Sequence, residues 1–242
     1  MTLPTAVDNE ANFAPSPSRL AEGLRDTGYS HESAFADIVD NSIAANATQV
    51  DIDIYLAVDS SLRVVISDNG DGMDLQNLLD AMRYGSPKRD SLKSLGKFGM
   101  GLKTASTAFC KKLTVISRKN GIINGRTWDI TEIVKQDKWV LLTPDLQDYQ
   151  EEVEKLDSYA SGGSGSIVAW ENIDRLITQS GITHSRKALD KLIGEIELHL
   201  SGVFGKFLDK TNVDVKNVSI KINDKVLEGW DPTGKWLNNS GR

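Results

Sequence analysis

The chain contains very little cysteine, no long apolar run and no excess of positive charge. Its 242 residues include one cysteine, Cys110, which excludes an internal disulfide scaffold and a zinc site built from several thiolates. The formal net charge is −6, so bulk charge gives no reason to expect nucleic-acid or membrane binding. No segment approaches the roughly 18 consecutive apolar residues of a membrane span. Residues 1–18 lack the positively charged segment and the apolar segment that make up a signal peptide. We therefore expect a protein of the reducing cytoplasm.

The length and the 39% hydrophobic content suffice for one sizeable core. Three of the six prolines fall within residues 1–17, a segment without helical or strand period, which predicts a flexible arm. The main domain is then expected at residues 18–230. Residues 231–242 are interpreted as a tail that begins a linker to a further carboxyl-terminal region.

The hydrophobic pattern alternates between helical and strand periods. Phe35, Ile38, Val39 and Ser42 share one face of a helix capped by Ser30, and from Val50 the period changes to two. Further predicted elements are a hairpin over residues 50–67, a helix capped by Asp74, strands at 113–118, 125–130, 139–143 and 166–170, a helix over 185–208, and a hairpin over 213–227 turning at Asn223 and Asp224. This mixture predicts an α+β fold, a two-layer α/β sandwich with a half-exposed sheet on one side and helices on the other.

Three segments carry residues typical of chemistry. They are Asp-Ile-Val-Asp-Asn at residues 37–41 of a helix, Asp-Asn-Gly-Asp-Gly-Met at 68–73 after a strand, and Gly-Lys-Phe-Gly-Met-Gly-Leu-Lys at 96–103 before a helix. The second could be a turn or a calcium loop, but a calcium loop needs a Glu at its twelfth position, where Leu79 stands. No segment is conclusive alone.

The glycine-rich segment at residues 96–103 has the setting of an anion site. Glycines directly before a helix leave unpaired amides at the positive end of its dipole, where phosphate binds well. Eight basic residues and one acid lie between positions 83 and 112 of this acidic chain. A solvated lysine-rich loop would explain the charge alone, but its overlap with the glycines favours a polyanionic ligand. The segment matches neither a Walker loop nor a dinucleotide fingerprint.

Together, the three segments resemble the GHKL superfamily of ATP-binding domains: gyrase B subunits, MutL, the large cytosolic heat-shock chaperone, MORC proteins and histidine kinases. The match includes order, secondary-structure setting and spacing. It is most specific for the MORC-, MutL- and chaperone-like branch and covers residues 18–172. The resemblance implies a Bergerat-type domain, with a mixed, largely antiparallel sheet under helices, that binds ATP and Mg²⁺.

On the base side, the resemblance implies that Asp68 accepts a hydrogen bond from the adenine exocyclic amine. Gly72 would let the backbone lie close to the purine, and Gly70 and Met73 belong to the same loop. Ser166 matches a serine or threonine on a late strand that helps fix adenine through its hydroxyl and water.

On the phosphate side, the resemblance implies a loop whose amides hold the β- and γ-phosphates. Its residues are Gly99, Met100, Gly101 and Leu102, with Lys97 and Lys103 as nearby cations. Residues 86–95 would form the ATP lid. Asn41 matches the magnesium ligand.

Asp37 stands where most hydrolytic relatives have Glu as the general base. The shorter side chain disfavours hydrolysis but not binding, because a general base must lie within hydrogen-bond reach of the attacking water. Relatives of this kind work as ATP-dependent dimers, so the resemblance implies a homodimer in a longer protein, with DNA or protein clients bound through other domains. Three functions stay open: an ATPase switch, an ATP-binding module without hydrolysis, and a histidine-kinase catalytic domain.

The three histidines carry no predicted role. His31 followed by Glu32 is a feature of phosphoacceptor motifs, but such motifs lie on a separate dimerisation helix. His184 and His199 have no partners at metal-ligand spacing along the sequence. We expect surface or helix-face positions for them.

Overall fold

One sheet organises the molecule. The computed structural model describes residues 15–57, 61–84, 101–159, 163–176 and 182–230. Its strands are β1 (Gln49–Leu56), β2 (Leu62–Asp68), β3 (Cys110–Lys119), β4 (Ile122–Asp129), β5 (Leu141–Leu142), β6 (Gly165–Ile173), β7 (Ser219–Ile222) and β8 (Lys225–Val226). They lie in the order β5-β4-β3-β6-β2-β1-β7-β8. The pair β1–β7 is parallel and the other neighbouring pairs are antiparallel, which confirms the predicted mixed, largely antiparallel sheet.

Helices pack on both faces of this sheet, most of them on one. They are α1 (Pro17–Leu24), α2 (His31–Ala44), α3 (Leu75–Met82), α4 (Gly101–Thr107), α5 (Ile130–Gln136), α6 (Gln150–Ser158), α7 (Ile182–Val203) and α8 (Gly205–Leu208). The main core contains Phe35 and Ile38 of α2 against Trp170 of β6, with Ile196 of α7 at the same interface. The predicted α+β class is confirmed.

Helix α2 forms where the sequence predicts it. Ser30 caps it, since its side chain accepts a hydrogen bond from the Ser33 amide at 3.2 Å. The buried stripe runs through Phe35, Ile38, Val39 and Ser42, as expected from the helical period. The stripe turns the opposite face of α2, with Asp37 and Asn41, away from the core.

Helix α6 was not predicted, and it lies on the other face of the sheet. Leu156 packs there with Tyr149, Tyr159, Val65 and Ile167 in a second, smaller core. Adjacent residues of β2 and β6 point to opposite faces, so Val64 joins the main core while Val65 joins the small one. The predicted half-exposed face is thus partly covered in the region of β2 and β6.

The carboxyl-terminal elements are shorter than predicted. The expected helix over 185–208 is divided at Phe204 into α7 and α8, and the expected hairpin over 213–227 is reduced to β7 and β8. Its turn is at Asn223 and Asp224 as predicted, with φ of 46° and 67°, the left-handed pair that a tight hairpin turn requires. Among the described helices, none combines the length and apolar character needed to cross a bilayer.

Candidate functional site

Asp68 ends β2 and is buried on the side of the sheet that carries α2, with 6% of its surface exposed. Its Oδ1 accepts a hydrogen bond from the Gly70 amide at 2.8 Å, and its Oδ2 accepts one from the Ser42 hydroxyl of α2 at 3.0 Å. The Ser166 amide on neighbouring β6 is a third donor. The carboxylate is therefore held in one orientation by three elements.

Burial raises the pKa of Asp68 from 3.8 to about 6. The hydrogen bonds from Gly70, Ser42 and Ser166 lower it, and the nearby charge of Asp71 raises it, but burial is the largest influence. The three protein donors thus do not offset the cost of burying the charge. An additional donor would stabilise the ionised carboxylate.

The loop that follows Asp68 is fixed to the turn after α2. Asn69 Oδ1 accepts hydrogen bonds from the amides of Thr48 and Gln49 at 2.8 and 2.9 Å. Asp71 accepts one from Asn46 Nδ2 at 2.7 Å, and its amide donates to the Ala45 carbonyl at 2.7 Å. Asn69 and Asp71 are therefore engaged in holding the loop.

Two glycines let this loop approach neighbouring backbone. A Cβ at Gly70 would lie 2.6 Å from the Ala45 carbonyl oxygen. Gly72 has φ of +62°, and a Cβ there would overlap the Arg118 carbonyl oxygen of β3. Contact with the protein itself thus requires glycine at position 72, whereas contact of Gly72 with a purine remains a prediction.

Gly72→Ala is expected to destabilise the fold by about 2–4 kcal/mol, through the left-handed backbone and the overlap with Arg118. Gly121→Ala is the matched control, because Gly121 has φ of +76° but no atom within 4 Å of the place that a Cβ would take. That control should lose only about 1–2 kcal/mol. Urea unfolding measures both, and equal losses would contradict the packing role of Gly72.

Ser117 of β3 links Met73 to Ser166, its partner on neighbouring β6. Its buried Oγ accepts a hydrogen bond from the Met73 amide at 2.7 Å and donates to the Gly165 carbonyl at 3.0 Å. The hydroxyls of Ser117 and Ser166 are 2.8 Å apart. The predicted residues Asp68, Met73 and Ser166 are therefore brought together at one edge of the site, with Ser166 already hydrogen-bonded to protein.

Asp37 of α2 lies against the first residue of α4. A Cβ placed on Gly101 would be 3.4 Å from Asp37 Oδ2. The Tyr29 hydroxyl donates to the same oxygen at 3.0 Å. Burial raises the pKa of Tyr29, and the hydrogen bond to Asp37 and the charge of that residue raise it further, so Tyr29 stays a donor. Asn41, one helical turn after Asp37, is exposed.

Lys103 has a contact that sequence reasoning did not predict. It is 1% exposed, and its Nζ donates to the Ala81 carbonyl at the end of α3 at 2.6 Å. It would have to leave this contact to reach a phosphate. Leu102 packs partly buried against the main core. Lys97, Gly99, Met100 and the predicted lid at 86–95 lie outside the described residues.

Three supporting residues were missed as parts of the site. Ser42 had a signal, because a polar residue in an apolar stripe needs a partner, which proves to be Asp68. Tyr29 and Ser117 had no signal, since their roles depend on contacts between separate elements.

Comparison with known proteins gives several matches over part of the chain. The ATPase morc-1 of Caenorhabditis elegans is 33% identical over 91 residues, which is 38% of this chain and 10% of that protein. Protein MICRORCHIDIA 2 of Arabidopsis thaliana is 34% identical over 102 residues, 39% of this chain and 16% of that protein. The chain thus matches about a tenth to a sixth of the length of these relatives.

A solved structure and a family model also match. The crystal structure of the ATPase and transducer domains of DNA topoisomerase II from Balamuthia mandrillaris superposes with a TM-score of 0.49 and 14% identity, over 82% of this chain and 48% of that one. The family model described as histidine kinase-, DNA gyrase B-, and HSP90-like ATPase matches residues 29–163. Since this span is more than half of the chain, the protein belongs to the family of histidine kinase-, DNA gyrase B- and HSP90-like ATPases.

Proposed function

We propose that residues 18–230 form a domain that binds ATP with Mg²⁺ and hydrolyses it, as a nucleotide-driven switch within a larger protein. The adenine lies against Asp68 and the phosphates lie at the start of α4. The observation that carries the proposal is the Asp68 carboxylate, which is buried, fixed by three donors and still raised in pKa to about 6. A ligand donor at this carboxylate would offset its burial.

The adenine exocyclic amine is such a donor. Guanine presents an oxygen at the equivalent position, which would face the carboxylate unfavourably, so the contact favours adenine over guanine. Loss of a partner at a buried polar group costs about 1–3 kcal/mol, enough for clear selectivity. The hydrogen bonds of Asn69 and Asp71 hold the loop in place before any ligand arrives.

The contact between Asp37 and Gly101 supports hydrolysis. The proposed base therefore lies next to the proposed phosphate site, and a water that attacks a phosphate there would be within reach of the carboxylate. Tyr29 donates to Oδ2 of Asp37 and fixes its orientation. Asp37 would orient the attacking water and accept its proton.

The other residues of the phosphate side follow from the family. Asn41 is exposed, and its amide oxygen suits Mg²⁺, which prefers oxygen ligands and would neutralise phosphate charge. The amides of Gly99, Met100, Gly101 and Leu102 would hold the phosphates, with Lys97 and Lys103 nearby. ATP-dependent pairing of two such domains is part of the same proposal.

The second candidate is an ATP-binding module without hydrolysis. It is favoured by Asp37, whose side chain is one methylene shorter than the Glu usual in hydrolytic relatives. The two candidates share the binding site and differ in phosphate release alone. A wild-type protein that binds ATP and releases no phosphate would support this second function.

The proposal predicts that ATP affinity falls as the pH drops below about 6, because protonation removes the acceptor that the amine needs. One proton gives a loss of about tenfold per pH unit. Without nucleotide the sign is opposite: the raised pKa means that stability contributed by Asp68 is full below 3.8 and is lost as the pH rises through about 6. Calorimetric titration with ATP and Mg²⁺ on both sides of this pH measures the effect.

Ser42→Ala distinguishes protonation of Asp68 from protonation of the nucleotide. The Ser42 hydroxyl lowers the pKa of Asp68, so its removal should raise the pH at which ATP affinity begins to fall. Ser33→Ala, an exposed serine of the same helix, should leave it unchanged. An identical midpoint in all three proteins would contradict the assignment of the base site to Asp68.

A further inference from the structure

A cluster of two carboxylates and an imidazole lies at the interface of α2 and α7, apart from the site described above. His31 Nε2 is 3.3 Å from Glu32 Oε1 and 3.2 Å from Glu195 Oε2. The three ligand atoms all lie within 4.8 Å of one another. Glu195 is 164 positions from His31 along the sequence, and the packing of α2 on α7 brings them together.

The imidazole nitrogen is the unexplained atom of this cluster. His31 Nε2 is buried and makes no hydrogen bond to any part of the chain that the structure describes, although the side chain as a whole is 27% exposed. Two carboxylate oxygens converge on this nitrogen. A cation between the three atoms would satisfy the nitrogen lone pair and both negative charges.

We propose that His31, Glu32 and Glu195 bind a divalent transition-metal ion of the zinc type. Zinc–ligand bonds of about 2.0–2.1 Å in tetrahedral geometry place neighbouring ligand atoms about 3.3–3.4 Å apart. The two nitrogen–oxygen distances, 3.3 and 3.2 Å, are close to this spacing. The mixed nitrogen and oxygen donors fit zinc and exclude a preference for Mg²⁺, which takes oxygen ligands.

His199 lies near this cluster without being one of the three residues whose ligand atoms converge. It follows Glu195 by one turn of α7, and both line one surface cleft with Glu32. The proposed ligands are therefore His31, Glu32 and Glu195.

The metal site is separate from the proposed magnesium site. His31 is the first residue of α2, and Asp37 follows six residues later, about 9 Å along the helix axis. A metal here would tie the beginning of α2 to α7. It would thus hold the helix that carries Asp37 and Asn41 without touching nucleotide, so the proposal stands independently of ATP binding.

Titration of the whole chain with Zn²⁺, in excess Mg²⁺ and without nucleotide, tests the proposal. We expect one tightly bound ion and a rise in melting temperature. His31→Ala and Glu195→Gln should each weaken binding by at least about tenfold, the loss typical even of a residue that only hydrogen-bonds to a metal ligand. His184→Gln, which removes a histidine elsewhere in α7, should bind as the wild type does.

Substitution by Co²⁺ gives a readout that a merely structural role would not produce. The bound cobalt should show the strong visible absorption of a tetrahedral site, and both ligand variants should lose it. The proposal is wrong if the wild-type chain binds no Zn²⁺ in excess Mg²⁺, or if His31→Ala and His184→Gln bind Zn²⁺ equally well. The cluster would then be an ion pair between an imidazolium and two carboxylates.

Discussion

Asp37→Asn is expected to lower the rate of ATP hydrolysis by about 10²- to 10⁴-fold, the contribution typical of a general base. Asn cannot accept a proton, but it keeps the shape that receives the Tyr29 hydroxyl and lies beside Gly101. ATP affinity should therefore stay close to that of the wild type. Phosphate release at saturating ATP and Mg²⁺, with binding measured in parallel, separates the two effects.

Asp40→Asn is the matched control for this variant. Asp40 lies three residues further along α2, is partly buried and is influenced by the charge of Asp37. It has no contact that places it beside Gly101 among the described residues. We expect its turnover to stay near the wild-type value. Unchanged turnover in Asp37→Asn, or loss in Asp40→Asn alone, would refute the assignment of Asp37 as the base.

Asp68→Asn is expected to weaken ATP binding by about 10- to 150-fold, which corresponds to the 1.5–3 kcal/mol of a hydrogen bond to a charged group. The amide keeps the volume of the carboxylate, so the fold should tolerate it. However, its NH₂ group would face either the Gly70 amide or the Ser42 hydroxyl in place of an acceptor oxygen, and the amine of adenine would lose its charged acceptor. Calorimetry with ATP and Mg²⁺ measures the loss.

Asp71→Asn serves as the control for this second variant. Asp71 belongs to the same loop, but it is exposed, and its side chain accepts a hydrogen bond from Asn46. Its replacement removes the same charge without removing the proposed acceptor. If Asp68→Asn bound ATP as tightly as Asp71→Asn, the base would lie elsewhere.

The sequence was sufficient for those features that depend on local spacing. The face of α2 with Asp37, the strand before Asp68 and the turn at Asn223 each follow from a few consecutive residues. Helix α6 was missed because Val153 and Leu156 are its two apolar residues among many acids, too few to show a period. The apolar spacing continues across Phe204, so it did not reveal the break between α7 and α8.

Contacts between distant elements could not be predicted. Ser117 reaches Ser166 because β3 lies beside β6 in the sheet, an order that no single segment encodes. Likewise, the reason for glycine at position 72 is the carbonyl of Arg118, 46 residues later in the chain. The sequence identified which residues carry chemistry, and the sheet topology determines what holds them.

The most direct test of the central claim is an NMR titration of the isotope-labelled wild-type protein with ATP and Mg²⁺. Binding of adenine at Asp68 should shift the amide signals of Gly70 and Ser166, which donate to that carboxylate. GTP at the same concentration should leave these signals near their free positions. Unchanged signals at saturating ATP, or equal shifts with GTP, would contradict the account.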